Sequence, residues 1–205
     1  TVILGGANTY SGTTTINAGA LRAAHNSALG SGSGSTTIGN AASARLELAG
    51  GVSVSEAITV SCKASADGNV PAVVNLSGTN TLAGALSLTT GGSYWTFEAT
   101  GGKLRVTGTT ANTTTVNART LWLRGAAAGE WTSVIGDSAA ALATNVRKDD
   151  SGNWTLAGNN VYSGSTTVSN GTLFANGTVR GSALNIYGGA LGGTGLIAAP
   201  VTIYS

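Results

Sequence analysis

Methionine is absent from this 205-residue chain, cysteine occurs once, proline twice, and only 9% of the residues are charged. Each scarcity excludes something. A lone cysteine, Cys62, cannot build an internal disulfide framework. Ten basic and eight acidic side chains leave a net charge of +2. The arginines, Arg22, Arg45, Arg105, Arg119, Arg124, Arg147 and Arg180, never form a run. That leaves no phosphate-binding surface, so no nucleic-acid partner is expected. No apolar stretch approaches the roughly 18 residues a membrane-crossing helix needs. With one histidine and one cysteine, neither a zinc site nor a Cys-His pair can be assembled.

What is abundant is glycine, 32 residues, within a chain that is 41% hydrophobic. That is not the low-hydrophobicity, high-charge signature of disorder. Threonine, valine, alanine and glycine suit strands joined by glycine turns. A two-residue period is plain in "VSVSEAITVSC", where Val52, Val54, Ile58, Val60 and Cys62 share one parity and Ser53, Ser55, Thr59 and Ser61 the other. Such strands bury one face. No segment sustains a helical period. The best helical candidate is Asp137 to Lys148, where a short turn or an irregular loop fits about as well.

One phrase is spelled repeatedly. "LGGANTYSGTTTINAGAL" at residues 4–21 returns at residues 156–173 as "LAGNNVYSGSTTVSNGTL", with a weaker echo, "LSGTNTLAGALSL", at 76–88. Divided by three, the intervals give about 24 to 27 residues, room for three short strands and their turns. Repeats of roughly this size point to solenoids, propellers or arrays. The unit Gly-x-Leu recurs at Gly19-Ala20-Leu21, Gly102-Lys103-Leu104 and Gly171-Thr172-Leu173. The expected fold is therefore all-β: a parallel β-helix, or β-solenoid, of about eight rungs and near 40 Å long by the strand spacing. The runner-up is an antiparallel β-sandwich, disfavoured by the lack of matched hairpin loops. Asn8, Asn80 and Asn160 lie about three rungs apart and cannot stack directly. Each Gly-x-Asn is read as a turn held in positive φ.

The stretch "KDDSGNWTLAGNNVYSGSTTVSNGTLFANG" resembles the autotransporter-associated β-strand repeat of bacterial passenger domains. The resemblance is carried by Trp154, Leu156, Gly158, Asn160, Tyr162, Gly164, Thr166, Thr167, Gly171 and Leu173. In the first copy Leu4, Gly6, Asn8, Tyr10, Gly12, Thr14, Thr15, Gly19 and Leu21 match. "GGALGGTGLIAAPVTI", residues 188–203, is similar to the Leu-Gly-Gly-x-Gly rung common in such passengers. Residues 1–48 and 147–205 are covered well, and 49–146 diverge. The resemblance implies a right-handed parallel β-helix, export to the cell surface and a longer parent protein, of which residues 1–205 would be a single segment. It does not imply a reaction, since such passengers range from stalks to adhesins and carriers of enzymes.

An enzyme on such a scaffold needs acids that converge, with a basic partner. The eight acids are Glu47, Glu56, Asp67, Glu98, Glu130, Asp137, Asp149 and Asp150, and only the last two are adjacent, in what reads as a solvated turn. His25 reads as an exposed or capping turn residue, and Cys62 as a buried, inert thiol. "GSGSGS" at residues 30–35 lacks the helix of a nucleophile elbow and the lysine of a phosphate loop. Trp95, Trp122, Trp131 and Trp154 could form a sugar-stacking shelf, but core packing suits them better; one of Tyr94 and Trp95 must face outward. No catalytic, metal or cofactor-binding residues are assigned. The chain reads as a non-catalytic structural or adhesive rod, a stalk, spacer or fibre unit, secreted or at the bacterial surface. A carbohydrate-binding adhesin or a polysaccharide-degrading enzyme is the alternative. Candidate partners are further copies, end to end or side by side, and surface glycans.

Overall fold

In the computed structural model, residues 1–64 and 70–204 are described. Every strand ladder among them is parallel, and the sandwich alternative falls away. Ten strands stack in the longest sheet, sheet A: Val2–Leu4, Ala20–Ala23, Arg45–Ala49, Val73–Ser77, Tyr94–Ala99, Arg119–Arg124, Thr144–Lys148, Thr166–Val168, Leu184–Ile186 and Val201–Ile203. Sheet B has five strands, from Thr14–Ile16 to Thr110–Asn112. Sheet C has seven, from Ser53–Val54 to Ala190–Gly192, and sheet D pairs Thr178–Val179 with Leu196–Ile197. The longest face thus stacks ten strands where eight rungs were expected. Nine steps of about 4.8 Å give a rod of about 43 Å.

The rungs change in width, which the repeat spacing alone does not reveal. In the middle of the chain the backbone visits sheets A, C and B in turn, a three-sided coil. There, sheet A partners such as Val73 and Phe97 are 24 residues apart, and Leu46 and Val73 are 27 apart. At the two ends the coil tightens: Val2 pairs Leu21 at 19 residues, and Leu184 pairs Val201 at 17. The repeat phrase therefore turns about the axis. Its threonine strand lies in sheet B as Thr14–Ile16 but in sheet A as Thr166–Val168.

The interior is a set of columns in which each side chain sits on its counterpart one rung away. One column runs Leu21, Leu46, Val73, Phe97, Leu123, Lys148, Val168, Ile186. Trp95, Trp131 and Trp154 are fully buried, and the Phe97 and Trp131 rings meet edge-on at 5.0 Å. The parity read from residues 52–62 holds: Val52, Val54, Ile58, Val60 and Cys62 all face the core. Asp137–Lys148 forms no helix. Asp137 Oδ1 instead accepts the Thr144 N–H at 2.7 Å across a loop, and Thr144–Lys148 is a strand of sheet A. Pairing with strands on both sides outweighs the helix propensity of a few alanines.

Candidate functional site

Most of the charged side chains with chemistry are spent on the neighbouring rung. Glu47 Oε2 takes two hydrogen bonds from Arg22, and its Oε1 accepts from Arg45 at 2.9 Å. Burial pushes the Glu47 carboxyl up, but the two arginines outweigh it and hold it below its usual value. Glu130 sits between Lys103 at 2.6 Å and Arg105 at 3.1 Å, and the Lys103 hydrogen bond leads in holding its pKa down. Asp137 Oδ2 accepts the Ser163 N–H. Asp67 lies outside the described residues. Among the described residues, no group of three or more His, Cys, Asp or Glu is placed to hold a metal.

The densest functional cluster lies on the outer face of sheet A, around Trp122. The register sets Thr96 and Arg147 beside Trp122 on the adjoining rungs, and Glu98 beside Arg124. The guanidiniums of Arg124 and Arg147 lie 4.8 Å and 4.5 Å from the Trp122 ring centre, close enough for cation–π attraction. Tyr94 packs against the same ring at 5.2 Å. The indole N–H donates to Asp149 Oδ2, which also pairs with Arg147 at 2.7 Å. Asp150 pairs with Arg124 at 3.3 Å and accepts the Gly125 N–H at 3.0 Å. Burial raises the Glu98 carboxyl above its usual value; Arg124 opposes this and Asp150 adds to it.

This cluster departs from the expected solvated turn. Asp149 is 9% exposed and holds the indole, while Asp150 turns the chain at φ +62°. Two acids do flank a basic residue here, as an acid–base site would require. Both Asp149 and Asp150 are nevertheless engaged by arginines, and Trp122 is covered, only 7% exposed. The ring offers no bare shelf for a sugar. Trp95 points inward and Tyr94 outward, as the parity required.

The remaining candidates take structural places. His25 is exposed, and its Nδ1 accepts the Ser27 N–H in a turn. Cys62 is fully buried, and burial pushes its thiol up to about 12, against the pull of Arg119. Two groups that sequence reading passed over share the parity of core residues. Glu56, aligned with Val54 and Ile58, is 3% exposed; its Oε2 accepts from Thr36 and its Oε1 has no partner. Lys148, aligned with Val146, donates to the carbonyls of Asp149, Asp150 and Asn170 from inside the coil. Burial lowers its pKa to about 8, against Asp150 and Asp149.

The repeated phrase proves to combine a tyrosine clamp within a rung and an asparagine clamp between rungs. Tyr10 and Tyr162 each share a hydrogen bond with the threonine four residues on, Thr14 at 2.9 Å and Thr166 at 2.7 Å. Asn80 Oδ1 accepts the N–H groups of Gly51 and Val52, and Asn160 Oδ1 accepts that of Ile135. None of Asn8, Asn80 and Asn160 has positive φ, and of the glycines two places before them only Gly78 does. The expected role in turns belongs instead to Gly-x-Leu: Gly19, Gly102 and Gly171 have φ of +74°, +69° and +65°. There the chain enters a strand through a conformation that glycine adopts without strain.

A second surface is uncharged. On the outer face of sheet B, Thr15, Thr37, Thr59 and Ser87 stand in one column on successive rungs.

The passenger-associated-transport-repeat family matches the chain over residues 1–23 and 146–173, the two strong copies of the phrase. No curated protein and no solved structure matches it. Over those two copies the chain is similar to passenger-associated transport repeats, and between them it winds as a parallel β-solenoid.

Proposed function

We propose that this solenoid is a non-catalytic spacer, a stiff rod that holds other parts of a secreted or surface-displayed protein at a distance. The observation that carries this reading is the unbroken ten-strand stack of sheet A, in which each rung adds about one strand spacing of length. The ion pairs support it, since Arg22–Glu47, Lys103–Glu130, Arg105–Glu130 and Arg124–Asp150 each tie one rung to the next. Display between a surface anchor and a reporter tests it. The reporter's reach grows when the chain is inserted, and the purified chain releases no sugar from a polysaccharide panel. Sugar release that disappears in Glu98→Gln or Asp150→Asn would replace the spacer by an enzyme.

The hydroxyl column on sheet B favours one second reading, an adhesive flank for surface glycans. Specific retention on a glycan array, lost in Thr37→Lys with the fold intact, supports adhesion; no retention leaves the spacer reading alone.

A further inference from the structure

Two Asn-Gly pairs occur in the chain, Asn170-Gly171 and Asn176-Gly177, and the fold treats them differently. Such a pair is open to a reaction of the chain with itself, because glycine has no side chain to shield its amide nitrogen. That nitrogen attacks the side-chain carbonyl carbon of the asparagine before it. At the second pair the nitrogen is occupied: the Gly177 N–H donates to Leu156 O at 2.9 Å on the preceding rung. The Asn176 side chain is engaged on the other side, where its Oδ1 accepts the Thr194 N–H at 3.3 Å.

At the first pair the reacting groups face each other. The Gly171 N–H donates at 2.7 Å to Asn170 Oδ1, so the nitrogen lies against the carboxamide it would attack. Asn170 is exposed, which lets water in and ammonia out. Only glycine suits the turn, since φ is +65° and a Cβ would stand 2.8 Å from Lys148 Nζ. In the first copy of the repeat, Ala18 stands where Asn170 does, so the arrangement belongs to the second copy.

The preceding rung adds a charge. Lys148 is fully buried, and its Nζ donates to Asn170 O at 3.1 Å and to Asp150 O at 2.8 Å. The Asn170 carbonyl and the Gly171 nitrogen form one amide. When that amide gives up its proton to attack, negative charge spreads onto Asn170 O, where the ammonium already sits. A hydrogen bond strengthens as charge develops on its acceptor. The carboxylates of Asp149 and Asp150 act on the same ammonium, but they are paired with Arg147 and Arg124.

We propose that Asn170-Gly171 is a self-modification site, at which the buried Lys148 ammonium activates the Gly171 amide to displace ammonia from Asn170. The steps balance without oxidant or reductant. The bond from Gly171 N to Asn170 Cγ forms as the amide proton passes to solvent. The Cγ–Nδ2 bond then breaks, and the nitrogen leaves as ammonia with a proton taken from water. The succinimide left behind takes up water. Opening at Cγ gives aspartate; opening at the former Asn170 carbonyl gives isoaspartate, whose freed carboxylate is the group Lys148 already holds. On either path an amide becomes a carboxylate, and the net charge falls by one from +2. The inference stands apart from the spacer reading and survives its failure.

The test incubates the folded chain at neutral pH in heavy-oxygen water and follows both asparagines by peptide mapping. The same chain unfolded in guanidinium chloride is the reference. Folded Asn170 converts faster than unfolded Asn170 and takes up heavy oxygen, while folded Asn176 converts more slowly than in the unfolded chain. Lys148→Met slows folded Asn170 about tenfold, the effect of removing one hydrogen bond to a charge. The advantage of the folded parent fades as pH rises through about 8, where Lys148 gives up its proton. Asn170 that converts more slowly folded than unfolded overturns the proposal, as does a folded Lys148→Met that keeps the parent's rate. A Lys148→Met chain that fails to fold shows itself by Asn176 converting at its unfolded rate. The comparison of folded with unfolded parent then decides alone.

Discussion

Asparagine and glycine divide the work of the repeat phrase in a way their spelling conceals. Gly-x-Asn looks like a turn signal because both residues tolerate positive φ. Asn80 and Asn160 are instead buried clamps, and their side-chain amides reach the backbone of the preceding rung. Their spacing was legible in the sequence, but their partners were not, because Ile135 and Thr178 are distant in the chain and come into reach only once the coil forms. Replacing Asn160 by Ala leaves the Ile135 N–H and the Thr178 carbonyl without that partner. The expected cost is about 1–3 kcal/mol in denaturant unfolding. Asn8→Ala, with one rung to hold rather than two, costs less. Equal costs would show that the preceding rung contributes nothing.

Glu56 carries a pH signature at the same scale. Burial raises its carboxyl above the ordinary 4.5, against the Thr36 hydrogen bond, so the fold favours the neutral acid. Its contribution is full below 4.5 and is lost as pH climbs through the raised value. Thermal midpoints should therefore fall along that limb in the parent chain and change less in Glu56→Gln. An unchanged limb would mean that another group titrates there.

At the scale of the strand, parity was the reliable guide and propensity was not. Alternation placed residues 52–62 correctly, and the same parity puts Glu56 and Lys148 inside. The alanines of residues 139–143 suggested helix, yet the Asp137 clamp and strand pairing settled the segment. The tryptophans show how adjacent strands fit. Gly129 pairs with Trp154 across sheet C, and a Cβ at Gly129 would stand 2.3 Å from the indole. Trp154 also donates its N–H to Arg124 O at 2.9 Å. Trp154→Ala is expected to cost about 3–5 kcal/mol. Gly129→Val forces the ring from its seat, and the chain unfolds at lower denaturant. Retention of the parent midpoint in Gly129→Val would place the indole elsewhere.

For the whole molecule, the fold class could be read from the repeat spacing, but the tapering could not. The count of rungs assumed one width throughout, while the tight end rungs fit more strands into the same length of chain. Stability in such a stack is close to a sum of neighbouring interfaces, so a complete rung can be removed without dismantling the rest. Thr79 pairs with Lys103 in register, and deleting residues 79–102 joins Gly78 to Lys103 with every column still aligned. The central claim is that this chain works through its length, set one rung at a time. It is tested most directly by the distance between spin labels at the exposed positions Thr13 and Tyr187, before and after that deletion. The account predicts a narrow distribution that shortens by about 4.8 Å. An unchanged distance, or one that broadens into a continuum, would contradict it.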